Sequence, residues 1–168
     1  MRFLIDTNIL LHAANGSSPF HKIAREFLQH HLRVRTGWCL SWPIINEFLR
    51  VSTHWRVFAK PLSAKQALDF IAGFVELEEV AILAATDRHF AVLRTVVQEI
   101  GPAAAGNLFH DIHTATLMRE HGVPEIVTAD KDFLQFPFLS VKNPLQAHKA
   151  NRESQASVFL PERVATVE

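Results

Sequence analysis

The sequence predicts an α/β domain: a parallel sheet of four to five short strands covered by helices on both faces. Three observations predict it. Short apolar runs recur at 3–5, 37–40, 80–83, 125–128 and 138–141. Segments with helical apolar spacing and cap residues lie between them, the alternation expected of βαβ units. The runs are short and apolar, as strands buried on both faces are.

The elements follow in order. "FLI" (3–5) is a strand, and "TNILLHA" reads as a helix behind it. "SSPFHKIAREFLQHHL" predicts the next helix. Ser17 or Ser18 caps it, Pro19 fits its first turn, and Phe20, Ile23, Phe27, Leu28 and Leu32 share one apolar face. "GWCL" is the second strand. "SWPIINEFLRVSTHW" starts a helix with Ser41 as cap and Pro43 in the first turn. Ser63 and Gln66 have capping-box spacing ahead of Ala67, Leu68, Ile71 and Val75.

"VAIL" (80–83) is the third strand, followed by a helix from about residue 87 to Ile100, with Gly101 and Pro102 as stop signals. "AGNLFHDIHTATLMREHG" is a further helix closed by Gly122. "EIVT" (125–128) and "FLSV" (138–141) are the fourth and fifth strands. After Asn143 and Pro144 the pattern weakens. Residues 1–144 therefore read as one domain and 145–168 as a C-terminal tail or late-docking segment.

At 168 residues the chain suits one domain that buries roughly two thirds of its unfolded surface. Formal net charge is zero, which argues against a protein that coats nucleic acid through a global basic field but leaves room for local basic patches. The single cysteine, Cys39, lies in the apolar run "WCL" and reads as a core residue. It permits no internal disulfide and suits a reducing compartment. No apolar run reaches membrane-spanning length, and the N-terminal run meets Asp6 too soon for a signal peptide. A cytoplasmic protein without membrane contact is expected. The ten histidines are scattered, with no zinc-finger or HExxH spacing.

The carboxylates carry the chemistry. Parallel α/β sheets bind ligands beyond the carboxyl ends of their strands, where strand order switches. Asp6 ends the first strand, and Asp130 stands just past the fourth. Glu47 sits in the helix after the second strand, and Asp111 early in the helix before the fourth. Each has a plain alternative: Asp6 as a helix N-cap, Glu47 as a solvated helix residue, Asp111 as a complement to the helix dipole, Asp130 and Asp132 as turn residues. Gathered on one rim, however, such acids repel one another and call for a cation. Oxygen ligands without thiolates point to Mg²⁺ or Mn²⁺ rather than zinc.

"FLIDTN", "NEFLRVSTH" around Glu47, "GNLFHDIHTAT" around Asp111 and "TADKDFLQFP" around Asp130 occur in the order of the PIN-domain motifs. The chain resembles that family over residues 1 to about 145, and within it the VapC toxins of type II toxin–antitoxin systems. The resemblance implies a three-layer α/β/α PIN fold and a metal-dependent endoribonuclease with Asp6, Glu47, Asp111 and Asp130 as its acidic site. It implies that Asp6 and Asp111 bind Mg²⁺ most directly, with Mn²⁺ as a substitute, and that Glu47 and Asp130 complete the site or hold a second ion. It further implies hydrolysis of a tRNA or an exposed rRNA loop to 5′-phosphate and 3′-hydroxyl ends, a VapB-type antitoxin as partner, and a homodimer. Of the two acids in "ADKDF", Asp130 is favoured for the site and Asp132 for a supporting place.

Around these acids, Thr7 and Asn8 either orient Asp6 and touch a phosphate or simply cap the following helix. Arg50, His54, Arg56 and Lys60 form either a phosphate-binding strip or a solvated face. Trp42 and Trp55 either stack on a base or, as aromatics near a helix more often do, pack in the core. His110 and His113, which bracket Asp111, are placed for a phosphate contact or a hydrogen bond in the rim. Two other classes compete. A haloacid-dehalogenase-type phosphatase needs a second acid where Asn8 stands, and a non-catalytic PIN-like module would bind RNA or protein without cutting.

Overall fold

Phe3, Leu4 and Ile5 are all buried, as suits a strand with neighbours on both edges and helices on both faces. In the computed structural model, which describes residues 2–146, they form β1 (Phe3–Ile5), the centre of a five-stranded parallel sheet. β2 (Trp38–Ser41) and β3 (Val80–Leu83) lie to one side; β4 (Glu125–Val127) and β5 (Ser140–Lys142) lie to the other. Leu4 is in register with Cys39 of β2 and Ile126 of β4.

Helices α1 (Thr7–Ala14) and α2 (His21–Arg33) join β1 to β2, and α3 (Trp42–Ser52) and α4 (Ala64–Val75) join β2 to β3. Helices α5 (His89–Ile100) and α6 (Leu108–Glu120) carry the chain back across the sheet to β4. Right-handed crossovers put α1 to α4 on one face and α5 and α6 on the other, because the third crossover runs in the opposite direction. α1 accordingly packs on α2 and α3, and α5 on α6. The expected three-layer α/β/α architecture with a parallel sheet is present. A 3-10 turn, Asp132–Gln135, leads from β4 towards β5, and the buried Phe133 and Phe136 anchor it.

Several boundaries differ from those read in the sequence. α2 begins at His21 with Phe20 at its N-cap, not with Ser17 or Ser18. The Ser18 hydroxyl instead accepts from the Phe20 N–H and pairs with the His12 ring, closing the turn between α1 and α2. α3 ends at Ser52, before Trp55. α6 starts at Leu108, after a turn in which Gly106 takes a positive φ of 57°. The fifth strand runs 140–142, because Phe138 and Leu139 pack as turn residues against the core. On α4 it is Ala67, Ile71 and Phe74 that are buried, while Leu68 is exposed. Trp42 and Trp55 are 54% and 70% exposed, so neither is a core residue.

Cys39 is buried in β2, and burial pushes its thiol pKa up, as suits a core cysteine. Leu145, the first residue of the expected tail segment, is buried against the core; 147–168 lie outside the described residues. Among the described residues, no helix is long and apolar enough to cross a membrane.

Two serines at N-cap positions make a test of local energetics. Ser63 accepts from the Gln66 N–H at 3.2 Å, and Gln66 Oε1 accepts the Ser63 N–H at 2.9 Å, completing a capping box. Ser41 caps α3 by position only: its hydroxyl is buried without a hydrogen-bond partner among the described residues. Ser63→Ala is expected to cost about 1 kcal/mol. Ser41→Ala is expected to be neutral or slightly stabilising, since it deletes an unpaired buried hydroxyl. Urea unfolding of the two variants checks this, and equal losses would contradict it.

Candidate active site

The strand order changes direction at β1 and β4, so the loops leaving their carboxyl ends part and open a crevice. Asp6 stands at its base, directly after β1 and at the N-cap of α1. One carboxylate oxygen, Oδ1, accepts the Thr7 N–H at 2.7 Å. The other accepts the Thr128 hydroxyl at 2.6 Å and the side-chain amide of Asn8. Asn8 also donates to Thr128 Oγ1 at 2.8 Å and accepts the Ala129 N–H at 3.1 Å. Thr128 Oγ1 in turn accepts the Asp130 N–H at 2.9 Å. A closed polar knot thus ties the end of β1 to the end of β4.

The other acids arrive from helices and the β4 turn. Glu47, on α3, accepts the Thr7 hydroxyl at 3.0 Å through Oε2, and its Oε1 lies 3.6 Å from Arg50 Nη2. Asp130 Oδ1 accepts the Asp132 N–H at 2.9 Å, so Asp132 shapes the turn that holds Asp130. Asp111 lies in the first turn of α6, half-buried, and among the described residues nothing donates to its carboxylate. One cavity of about 700 Å³ is lined by Asp6, Glu47, Asp111 and Asp130 together with Thr7, Asn8, Asp132, Arg50 and His113. These nine of the residues singled out in the sequence therefore face one space, whereas Trp42, His54, Trp55, Arg56 and Lys60 do not line it.

Sequence reasoning passed over Thr128, taking it as the last residue of the strand. Its one donor and two acceptor sites all serve the knot, and a hydroxyl closing an apolar run was the available signal. Asn46, Asn107, His110 and Thr114 also line the cavity. The His113 ring packs edge-on against His89 at 5.0 Å, and His89 Nδ1 is 2.6 Å from the carboxylate of Glu120.

Residues 3–139 match the PIN domain family. The chain belongs to that family. Ribonuclease VapC48 of Mycobacterium tuberculosis is 32% identical to this PIN domain over 139 residues, covering 83% of this chain and 94% of the relative. The crystal structure of M. tuberculosis VapC20, described as a sarcin-ricin-loop-cleaving toxin, superimposes with a TM-score of 0.58 at 16% identity, covering 84% of this chain and 99% of that one. DNA-bound VapBC from Salmonella typhimurium superimposes with a TM-score of 0.60 at 18% identity, covering 86% and 98%. At those identities the two structures establish the fold.

Two acids of this PIN site resist ionisation. Burial, reinforced by the charges of Glu47 and Asp130, pushes the Asp6 pKa up to about 6, against the downward pull of the Thr128 and Thr7 hydrogen bonds. Asp111 is pushed up to about 7, first by burial and then by Asp130, Asp6, Asp132 and Glu47. The donor set is all oxygen and outnumbers the one guanidinium beside it, Arg50, which fits a hard divalent cation. Among the described residues no three His, Cys, Asp or Glu side chains converge on a single point.

The sign of the pH effect follows. Below about pH 4 both carboxyls are protonated folded or unfolded, and neither costs stability. As pH rises through 6 and 7, the folded protein must ionise them against burial and one another, and the stability they contributed is lost. In EDTA, the melting temperature should fall between pH 5 and 8. Asp111→Asn should fall less and exceed wild type at pH 8 by about 2–4 °C, the change expected per kcal/mol at this size. Parallel slopes in thermal melts would refute this. Thr128→Val leaves Asp6 and Asn8 short of a partner and should cost about 1–3 kcal/mol at pH 8 by urea unfolding; a loss below a few tenths would show the knot to be unimportant.

Proposed function

We propose that this chain is a metal-dependent endoribonuclease, the toxin of a cytoplasmic toxin–antitoxin pair. It hydrolyses a structured RNA, a tRNA or rRNA loop, in the acid-lined cavity. One observation carries the reading: Asp6, Glu47, Asp111 and Asp130, from four separate segments, line a single cavity at the switch point of the sheet. Relatives named as VapC ribonucleases support it.

Asp6 and Asp111 would hold Mg²⁺, for which Mn²⁺ would substitute, and Glu47 and Asp130 would complete the site. When bound, the ion supplies neutralisation of the charge that develops on the phosphate. The protein supplies the rest. The knot of Asn8 and Thr128 fixes the Asp6 carboxylate before any ligand arrives. Glu47 or Asp130 accepts a proton from the attacking water; as water adds at phosphorus the P–O3′ bond breaks, and the departing 3′ oxygen takes up a proton, leaving a 5′-phosphate and a 3′-hydroxyl. Arg50, only loosely paired with Glu47, is free to turn to a phosphate oxygen.

A VapB-type antitoxin would silence the site by covering the cavity and presenting a cation to its acids; solved relatives include DNA-bound VapBC complexes. The active form is a homodimer.

The test is incubation of antitoxin-free protein with total cellular RNA. Discrete fragments are expected with Mg²⁺, none with EDTA, and none from Asp6→Ala. Mg²⁺ should also raise the melting temperature more at pH 8 than at pH 5, because the ligands must be ionised to bind it. A folded protein that cuts no RNA with any divalent metal would instead be a non-catalytic binding module.

A further inference from the structure

The cavity wall on α3 continues beyond the acids. Pro43, Glu47 and Arg50 line it at successive turns of one helical stripe that runs towards the C-terminal end of α3. The helix ends at Ser52, and the chain there presents His54, Trp55 and Arg56. The Trp55 indole is 70% exposed. It lies nearly parallel to the His54 imidazole, at 11° with centroids 6.3 Å apart, and the Arg56 guanidinium sits 4.8 Å from its centroid. Neither Arg56 nor Lys60 pairs with a carboxylate among the described residues, whereas Arg50 lies 3.6 Å from Glu47 in a loose pair. A chain of zero net charge thus places uncompensated positive charge and an open aromatic face at one end of an acidic groove.

We infer that His54, Trp55 and Arg56, just past the C-terminal end of α3, form a stacking site for an unpaired base of single-stranded RNA, from which the strand passes over Arg50 into the cavity. Indole faces accept any base, and a guanidinium beside the ring adds cation–π and phosphate contacts. A duplex offers no free base face. A second copy fits poorly, because a two-fold contact centred here would set Arg56 and Lys60 against their own counterparts. The inference rests on the ribonuclease reading of the cavity and extends it to how the substrate is held.

The test uses the full chain in EDTA, where nothing is cut, titrated with a short oligouridylate or a duplex RNA of equal length. Single-stranded RNA should quench tryptophan fluorescence and bind more tightly than the duplex. Trp55→Ala should abolish most of the quench and weaken binding about 10-fold, within the range of stacking substitutions. Arg56→Ala should weaken it several-fold and lower the slope of log affinity against log salt by about one. Phe90→Ala, at an equally exposed aromatic on α5, should change nothing. Binding by Trp55→Ala within twofold of wild type, or equal affinity for duplex, overturns the inference. So does a change of mass in light scattering with RNA affinity unchanged, which would mark an interface between copies. Failure here is separable from failure of the nuclease: Mg²⁺-dependent cleavage that Asp6→Ala abolishes, with KM unaltered in Trp55→Ala, removes the stacking site alone. Trp55-dependent binding without cleavage removes the nuclease alone.

Discussion

The buried carboxylate of Asp6 is the constraint on which the rest of the structure turns. A carboxylate at the end of a central strand is costly to desolvate and is tolerated only when several donors face it. Three do: the Thr7 N–H, the Asn8 amide and the Thr128 hydroxyl. Satisfying Asp6 therefore also caps α1, stops β1 and pins the end of β4, 122 residues away in sequence. Asp130 takes its place from the same hydroxyl. Structural satisfaction and site assembly are one event.

The remaining acids differ in how firmly they are held. α6 is buried from Ile112 through Met118, apart from His113. The Thr116 hydroxyl is satisfied by the Ile112 carbonyl at 2.7 Å. A helix enclosed on most sides has little freedom to move, so Asp111 in its first turn is aimed by packing rather than by hydrogen bonds. Glu47 is tethered only by Thr7 and, loosely, Arg50. The site combines three acids fixed by their surroundings, Asp6, Asp111 and Asp130, with one, Glu47, free to adjust. The raised pKa values of Asp6 and Asp111 are the strain of this arrangement, and such strain is characteristic of functional sites.

Much of this was legible in the sequence, and the gaps have physical causes. β1 to β4 stood out because strands buried on both faces must be apolar throughout, and the acids stood out because each follows or faces such a run. β5 was displaced by two residues because Phe138 and Leu139 are as apolar as a strand but pack from a turn. Ser18 and Ser41 look alike as caps, yet one hydroxyl bonds within a turn and the other has no partner among the described residues; only tertiary placement separates them. Thr128 was missed because its role exists only once β1 and β4 pair. Trp42 and Trp55 were drawn towards the core by their chemistry, and no local pattern says that α3 ends before Trp55 reaches cover.

The electrostatics bear on how a neutral chain would engage a polyanion. The cavity is acidic, and left to itself it repels phosphate. The protein offers Arg50 at the wall and Arg56 with Lys60 beyond the end of α3, so attraction grows with distance from the acids along the helix. A divalent cation between Asp6 and Asp111 would reverse the sign at the inner end only. Cation and RNA binding would then be coupled thermodynamically, each raising affinity for the other by the same factor. On the proposed reading, the groove holds the strand weakly at its outer end in any state and draws the scissile phosphate inward only when the ion is present. The repulsion among these acids would be what makes binding and cleavage depend on the same ion.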